Sequence, residues 1–232
     1  MPRVGLGTFK LNDTHQEMIT KMIKDGGLRH IDTAPSYKNE AMVGKAIENA
    51  YSQKVSRKDM FITSKLDQSQ YADPIKGLED TLMNLNVDYV DLYLIHWPVN
   101  QLKKDEKGFR RNPMHMVWEV MEYLYKKKMA KAIGFCNTNV QMLVDNFAYA
   151  NELPMVNQIE LHPYNQQHNL VEFCQKNKIH VTGYAPLGSP ERLEEHTTLN
   201  VLKDKTLKKI AKKHGKTPAE ISLAWNLQRG RL

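Results

Sequence analysis

Seven short hydrophobic runs recur along this chain, each followed by a longer stretch with helical spacing. No other feature constrains the fold as strongly. The runs, rich in Val, Ile, Leu and Phe, lie at 3–9, 29–32, 60–65, 90–95, 130–135, 155–160 and 179–185. Runs of this kind suit strands of a parallel sheet whose two faces are both covered. The segments between them repeat apolar residues at helical intervals. In 39–53, Val43, Ala46, Ile47, Ala50 and Tyr51 share a face. In 73–86, Asp73 can cap the helix and Pro74 suits its first position, with Ile75, Leu78, Leu82 and Leu85 turned inward. In 114–128, Val117, Val120, Met121, Leu124 and Tyr125 form the stripe, and Thr217 with Glu220 reads as a capping box opening a final helix.

Strand alternating with helix predicts a parallel sheet with right-handed crossovers. Two architectures meet that description: an open doubly wound sheet and a closed (β/α)8 TIM barrel. The first run gives VGLGTFK, with two glycines before Thr8 and Phe9, and lacks the G-x-G-x-x-G of a dinucleotide-binding open sheet. Polar candidates stand at the ends of several successive strands, which is the habit of barrels. The barrel is therefore preferred, as a single domain over 1–232. Only seven strand–helix units are found, so the eighth strand and helix are expected to be lacking and the domain C-terminally incomplete, a fragment of a longer chain ending at Leu232. The segment 98–113 reads as a charged surface loop beside the site, with a lid as the lesser alternative.

Composition narrows the function classes. Hydrophobic residues make up 41% and charged residues 25% of the 232, as in an ordinary globular protein. No apolar run is long enough to span a bilayer and the start lacks a secretory pattern, which together predict a cytoplasmic protein without membrane association. The two cysteines, Cys136 and Cys174, are expected to be reduced thiols, and no cysteine pair has metal spacing. Much of the formal charge of +7 comes from 202–216, read as a solvated amphipathic helix with Leu207, Ile210 and Ala211 on its apolar face. No nucleic-acid motif accompanies it, so no nucleic-acid partner is expected.

Four residues carry the chemistry: Asp32 and Tyr37 in IDTAPSYKNE (31–40), Lys65 in FITSKLD (61–67) and His96 in VDLYLIHWP (90–98). Taken singly, each has a plainer reading as a turn, packing or surface residue. Their shared position at strand ends makes them a proton-donating set. Negative charge that builds on an oxygen is stabilised by a donor whose proton moves readily. A cation beside a phenol is expected to lower its pKa, and a buried ammonium needs a carboxylate partner. His162 and His168 are left as structural or surface residues.

The chain resembles the aldo-keto reductases in GLGTF (5–9), IDTAPSYKNE, SKL (64–66), DLYLIHWP (91–98), IGFCN (133–137), NQIELHP (157–163) and YAPLGS (184–189), all in family order. The resemblance implies a (β/α)8 barrel that reduces aldehydes and ketones to alcohols without a metal, using NADPH, with NADH not excluded. It implies Tyr37 as general acid, Lys65 as the cation that tunes it, Asp32 as the partner of Lys65, and His96 as the group orienting the carbonyl. It implies Thr8, Asp32, Cys136, Asn137, Gln158, Tyr184, Leu187 and Ser189 at the cofactor: Asn137 and Gln158 on the carboxamide, Tyr184 stacked on the nicotinamide, Leu187 and Ser189 near the pyrophosphate. Phe9, Tyr37, His96 and Trp97 are implied at a small carbonyl substrate, in a monomer. The alternative is a catalytically weak cofactor-binding or partner-binding protein on the same fold.

The chain departs from the family pattern in places. Cys136 stands where serine is common and is a candidate for oxidation beside the cofactor. Phe9 and Asp67 stand where tryptophan is frequent, and a carboxylate at 67 facing the pocket would disfavour acidic substrates. A neutral aldehyde, a sugar aldehyde or a quinone-like carbonyl is the expected substrate. The lysine, serine and arginine with which the family grips the adenine end of NADPH have no counterpart in this sequence.

Overall fold

A computed structural model describes residues 1–52, 55–99, 112–189 and 200–229. The centre of the expected charged loop, 100–111, and the terminal Leu232 lie outside the described residues. The chain divides into two compact units, Met1–Val156 and Asn157–Leu232.

In the first unit strand and helix alternate: β1 (Leu6–Gly7), α1 (Gln16–Lys24), β2 (His30–Asp32), α2 (Glu40–Ala50), β3 (Phe61–Leu66), α3 (Pro74–Leu85), β4 (Leu92–Ile95), α4 (Met114–Lys126), β5 (Ile133–Cys136) and α5 (Val140–Tyr149). Each strand pairs in parallel with the next in sequence, in registers such as Leu6↔Ile31, Asp32↔Thr63, Lys65↔Leu94 and Ile95↔Phe135. Parallel pairing in chain order brings the C-terminal ends of all five strands to one edge. The expected strand positions are met to within a few residues.

The strands are apolar because both faces are covered. Every residue of β4 and β5 is buried. Trp118 of α4 stacks on Phe135 of β5, with ring centroids 4.6 Å apart, and donates its indole N–H to the Glu152 carbonyl at 3.1 Å. Trp118 and Glu122 are buried on α4, whereas Val120 and Tyr125 of the expected stripe are half-buried. The physical reason for the buried acid is a segment distant in sequence. Glu122 accepts the backbone N–H groups of Asn151 and Glu152 at 2.7 and 2.9 Å, so its charge is met by donors. Gly134 lies so close to the backbone of Val156 that a Cβ would sit 2.2 Å from its carbonyl oxygen; only glycine permits that approach.

Helix ends follow the sequence signals. Asp73 accepts from the Lys76 N–H at 3.0 Å with Pro74 in the first turn. The second unit holds β6 (Val156–Glu160), whose first residue marks the unit boundary, then α6 (His168–Lys176), β7 (His180–Tyr184), α7 (Lys205–His214) and α8 (Pro218–Gln228). β7 is the neighbour of β6. Thr217 and Glu220 form the expected capping box at the start of α8. On the lysine-rich α7, Leu207 and Ala211 are buried, but Ile210 is 38% exposed. So polar a helix buries only the narrow strip one turn apart. Among the described residues no helix is long and apolar enough to cross a membrane.

Candidate active site

The carboxylate, the amine and the imidazole come from the C-terminal ends of β2, β3 and β4. Asp32 is the last residue of β2, Lys65 the penultimate residue of β3, and His96 follows β4 directly. The phenol is mounted differently. Tyr37 ends a short 3-10 turn, Pro35–Tyr37, between β2 and α2, and the next residue, Lys38, takes the left-handed conformation at φ 58°.

The Lys65 ammonium is wholly buried and makes three bonds. It donates to Oδ1 of Asp32 at 2.5 Å, to the Thr33 carbonyl at 3.0 Å and to the Tyr37 hydroxyl oxygen at 3.2 Å. Burial alone would drive off its proton. The negative charge of Asp32, the coupling to Tyr37 and the short bond to Asp32 reverse that effect, and the amine is held charged, its pKa above the ordinary lysine value. Burial raises the Tyr37 phenol, the Lys65 cation pulls it back, and burial prevails. The expectation of a net lowering is thus corrected: the cation acts in the anticipated direction, but the low-dielectric setting outweighs it.

The His96 ring stands edge-on to Tyr37, centroids 5.8 Å apart, and against the face of Trp97 at 6.4 Å. Burial first, and then the Lys65 cation, push its pKa down to about 4, so the imidazole is neutral at physiological pH. Ser36 Oγ lies 3.4 Å from its Nδ1. Phe9 tilts over Tyr37 at 5.1 Å. Phe9 and Trp97 are 58% and 47% exposed, an apolar surface beside the polar cluster. Buried Tyr71 donates its hydroxyl to the Trp97 carbonyl and pins that segment to the end of the 3-10 turn Gln68–Gln70.

The remaining first-unit candidates are also gathered here. Thr8 is buried, and both its N–H and its hydroxyl donate to the Asp32 carbonyl, at 2.9 and 3.1 Å. Cys136 ends β5, and Asn137 follows it at a left-handed φ of 60°. The Asn137 amide donates to the His96 carbonyl at 3.0 Å and to Cys136 Sγ at 3.2 Å. Burial pushes the Cys136 thiol up to about 12, so it is neutral and enclosed, and the expected oxidation-prone role is not supported. Asp67 caps the 3-10 turn Gln68–Gln70, accepting from the N–H and hydroxyl of Ser69 at 3.0 and 2.7 Å. The cap uses Oδ1 of Asp67, and its charge reaches His96.

In the second unit Gln158 is buried within β6 and Tyr184 ends β7, half-buried, its carbonyl accepting from Leu161 N–H at 3.2 Å. Leu187 and Ser189 lie in the segment after β7, Ser189 at a left-handed φ of 45°. His162 is within 3.2 Å of the Glu160 carboxylate, and His168 within 2.6 Å of Arg229.

Two buried residues beside the cluster escape a motif-by-motif reading. Asn39 donates to the carbonyls of Thr8 and Leu11 at 2.7 and 2.9 Å, and Glu40 accepts from Ser64 at 2.7 Å. The signal for Glu40 is its spacing: it stands three residues before Val43 and seven before Ile47, on the buried stripe of α2.

Comparison with known proteins agrees with this geometry. The model of the aldo/keto reductase family matches residues 3–232. The chain is 38% identical over 244 residues to aldo-keto reductase family 1 member A1 of Gallus gallus, covering 99% of this chain and 74% of that protein. It is 36% identical over 250 residues to aldose reductase B of Dictyostelium discoideum, covering 99% and 78%. The solved aldose reductase of Giardia lamblia superposes with a TM-score of 0.88 at 34% identity, over 98% of this chain and 78% of that one. The seven strands with their interleaved helices match the (β/α)8 architecture of these relatives. A chain matched over nearly its whole length by such oxidoreductases, which act on small carbonyl compounds with nicotinamide cofactors, belongs to the aldo-keto reductase family.

Proposed function

We propose that this chain reduces small neutral aldehydes and ketones with NADPH, with Tyr37 as the proton donor. The observation that carries the proposal is the Lys65 ammonium, bonded at once to Asp32 and to the Tyr37 hydroxyl, with a neutral His96 ring against the same phenol. Asp32, Tyr37, Lys65 and His96 can bind, orient and protonate an oxygen, and none of them can deliver an electron pair to carbon. The donor set therefore fits a bound nicotinamide, which when present supplies the hydride. Asn137 and Gln158 would hold its carboxamide, the Tyr184 ring its face, and Leu187 and Ser189 its phosphates. Thr8, Asp32 and Cys136 would complete the cofactor's surroundings.

His96, neutral because burial and Lys65 depress its pKa, offers an N–H to the carbonyl oxygen and orients it. Tyr37 holds its proton firmly in the resting site, because burial raises its pKa. It gives that proton to the oxygen as negative charge develops there, and Lys65 stabilises the phenolate left behind. Asp32 keeps Lys65 charged and aimed. Solvent returns the proton to Tyr37 after the alcohol leaves. Phe9 and Trp97 favour an apolar or ring-shaped body on the substrate, and relatives described as aldose reductases support a simple or sugar aldehyde.

The test is NADPH consumption with a panel of aldehydes, for the full chain and for Tyr37→Phe. Reduction is expected to fall by about a hundredfold to ten-thousandfold in the variant, the usual worth of a positioned acid, with NADPH binding retained. Binding without turnover across the panel in the unmodified chain would leave only a cofactor-binding protein. An undiminished kcat in Tyr37→Phe would remove Tyr37 from its role.

A further inference from the structure

Glu40 is a buried acid that the proton transfer above does not use. It is the first residue of α2 and only 3% exposed. Oε1 accepts from the Ser64 hydroxyl at 2.7 Å and Oε2 from the Thr81 hydroxyl at 3.2 Å. One carboxyl group thereby ties the start of α2 to β3 and to α3. Burying a carboxyl is expensive unless its oxygens are met, and here both are met by hydroxyls.

The two ends of this tie lie next to the reacting pair. Ser64 precedes Lys65 on β3, and alternation along a strand sends the Ser64 side chain to the helices and the Lys65 side chain to Asp32. Ser64 is in register with Tyr93, whose buried phenol feels the charge of Glu40. Glu40 comes three residues after Tyr37. Between them Lys38 makes the left-handed bend, and Asn39 is bonded to the carbonyls of Thr8 and Leu11. The four residues 37–40 are thus fastened at Asn39 to the loop after β1, and at Glu40 to the strand that carries the cation.

We infer that Glu40 is a positioning residue that acts through Ser64 to fix the separation of the Tyr37 hydroxyl and the Lys65 ammonium, now 3.2 Å. The inference rests on the role proposed for Tyr37. Releasing the clamp lets the start of α2 move off β3 and carries Tyr37 with it. Lys65 keeps its bonds to Asp32 and the Thr33 carbonyl and stays in place. Tyr37 then loses its cationic neighbour while Phe9 and His96 still cover its ring, so the effect of burial is left unopposed and it becomes a weaker acid.

The experiment is an NMR titration of Tyr37 in the full chain, without cofactor or substrate, carrying fluorotyrosine and assigned with Tyr37→Phe. In Glu40→Ala the Tyr37 midpoint is expected to rise by about one pH unit, and kcat for reduction to fall on the order of tenfold, with KM little changed. Glu40→Gln still meets both hydroxyls and is expected to restore both readings. Ser64→Ala removes one hydroxyl from the clamp, is expected to shift Tyr37 in the same direction, and serves if Glu40→Ala fails to fold. A folded Glu40→Ala or Ser64→Ala whose Tyr37 titrates as in the parent chain, whatever its thermal stability, overturns the inference. Failure of the proposed activity shows separately, as absent turnover in the unmodified chain.

Discussion

Lys65 donates to the Asp32 carboxylate at 2.5 Å from a side chain with no solvent exposure of its own. The pair is the electrostatic anchor of the site, because the buried ammonium depends on the Asp32 charge to stay protonated. Removing one member of such a pair leaves an uncompensated buried charge. Asp32→Asn is therefore expected to lower folding stability by about 3–5 kcal/mol and to abolish reduction. Equilibrium denaturant unfolding and steady-state kinetics measure the two effects, and a variant within 1 kcal/mol of the parent, roughly the worth of a surface pair, would show that the pair is screened.

His96 is expected to titrate far below an ordinary histidine, with its midpoint at about 4. Burial is the larger cause and the Lys65 cation the second, so in Lys65→Met the midpoint should rise without reaching the usual value. NMR of the imidazole in the chain without ligands reads both. A midpoint near the ordinary value of about 6.5 would mean that the ring is solvated and available to protonate at working pH.

Glu40 makes stability depend on pH in the unusual direction for a carboxyl group. Burial raises its pKa from 4.5 to about 7, with the bonds from Ser64 and Thr81 opposing. The folded state therefore holds a proton that the unfolded chain releases. The associated stability is complete below the unfolded pKa and is lost as pH rises through about 7. Relative to Glu40→Gln, the parent chain should lose about 3 kcal/mol between acid and mildly alkaline pH. Denaturant midpoints of the two proteins across that window provide the comparison; parallel curves would refute the shift.

Two glycines predict opposite outcomes for the same substitution. Gly134→Ala places a methyl group 2.2 Å from the Val156 carbonyl oxygen and should cost about 3 kcal/mol or more, because backbone must give way. Gly7→Ala meets nothing within 4 Å and should stay within about 0.5 kcal/mol. Thermal unfolding of the two variants measures the contrast.

The strand positions, the caps at Asp73 and Thr217, and the convergence of Asp32, Tyr37, Lys65 and His96 were legible because each rests on local chemistry or on the ends of apolar runs. What was not legible depends on neighbours distant in sequence. The acidity of Tyr37 is a balance between the Lys65 cation and burial, and burial is not written in the residues around it. The use of Asp67 Oδ1 as a cap depends on the turn that Ser69 and Gln70 form after it. The burial of Glu122 becomes intelligible only with the N–H groups of Asn151 and Glu152, about thirty residues on, in view.

Lys65 and Tyr37, proposed above as cation and acid, are mounted on supports of different kinds. Lys65 sits on β3, which is laddered to β2 on one side and β4 on the other, whereas Tyr37 ends a three-residue turn that is held through the side chains of Asn39 and Glu40 that follow it. Sequence drift in 35–38 can therefore retune the proposed donor while leaving the sheet intact, and drift in β3 cannot. An engineer wishing to adapt this enzyme to a more or less basic carbonyl should vary the turn and leave the strand alone.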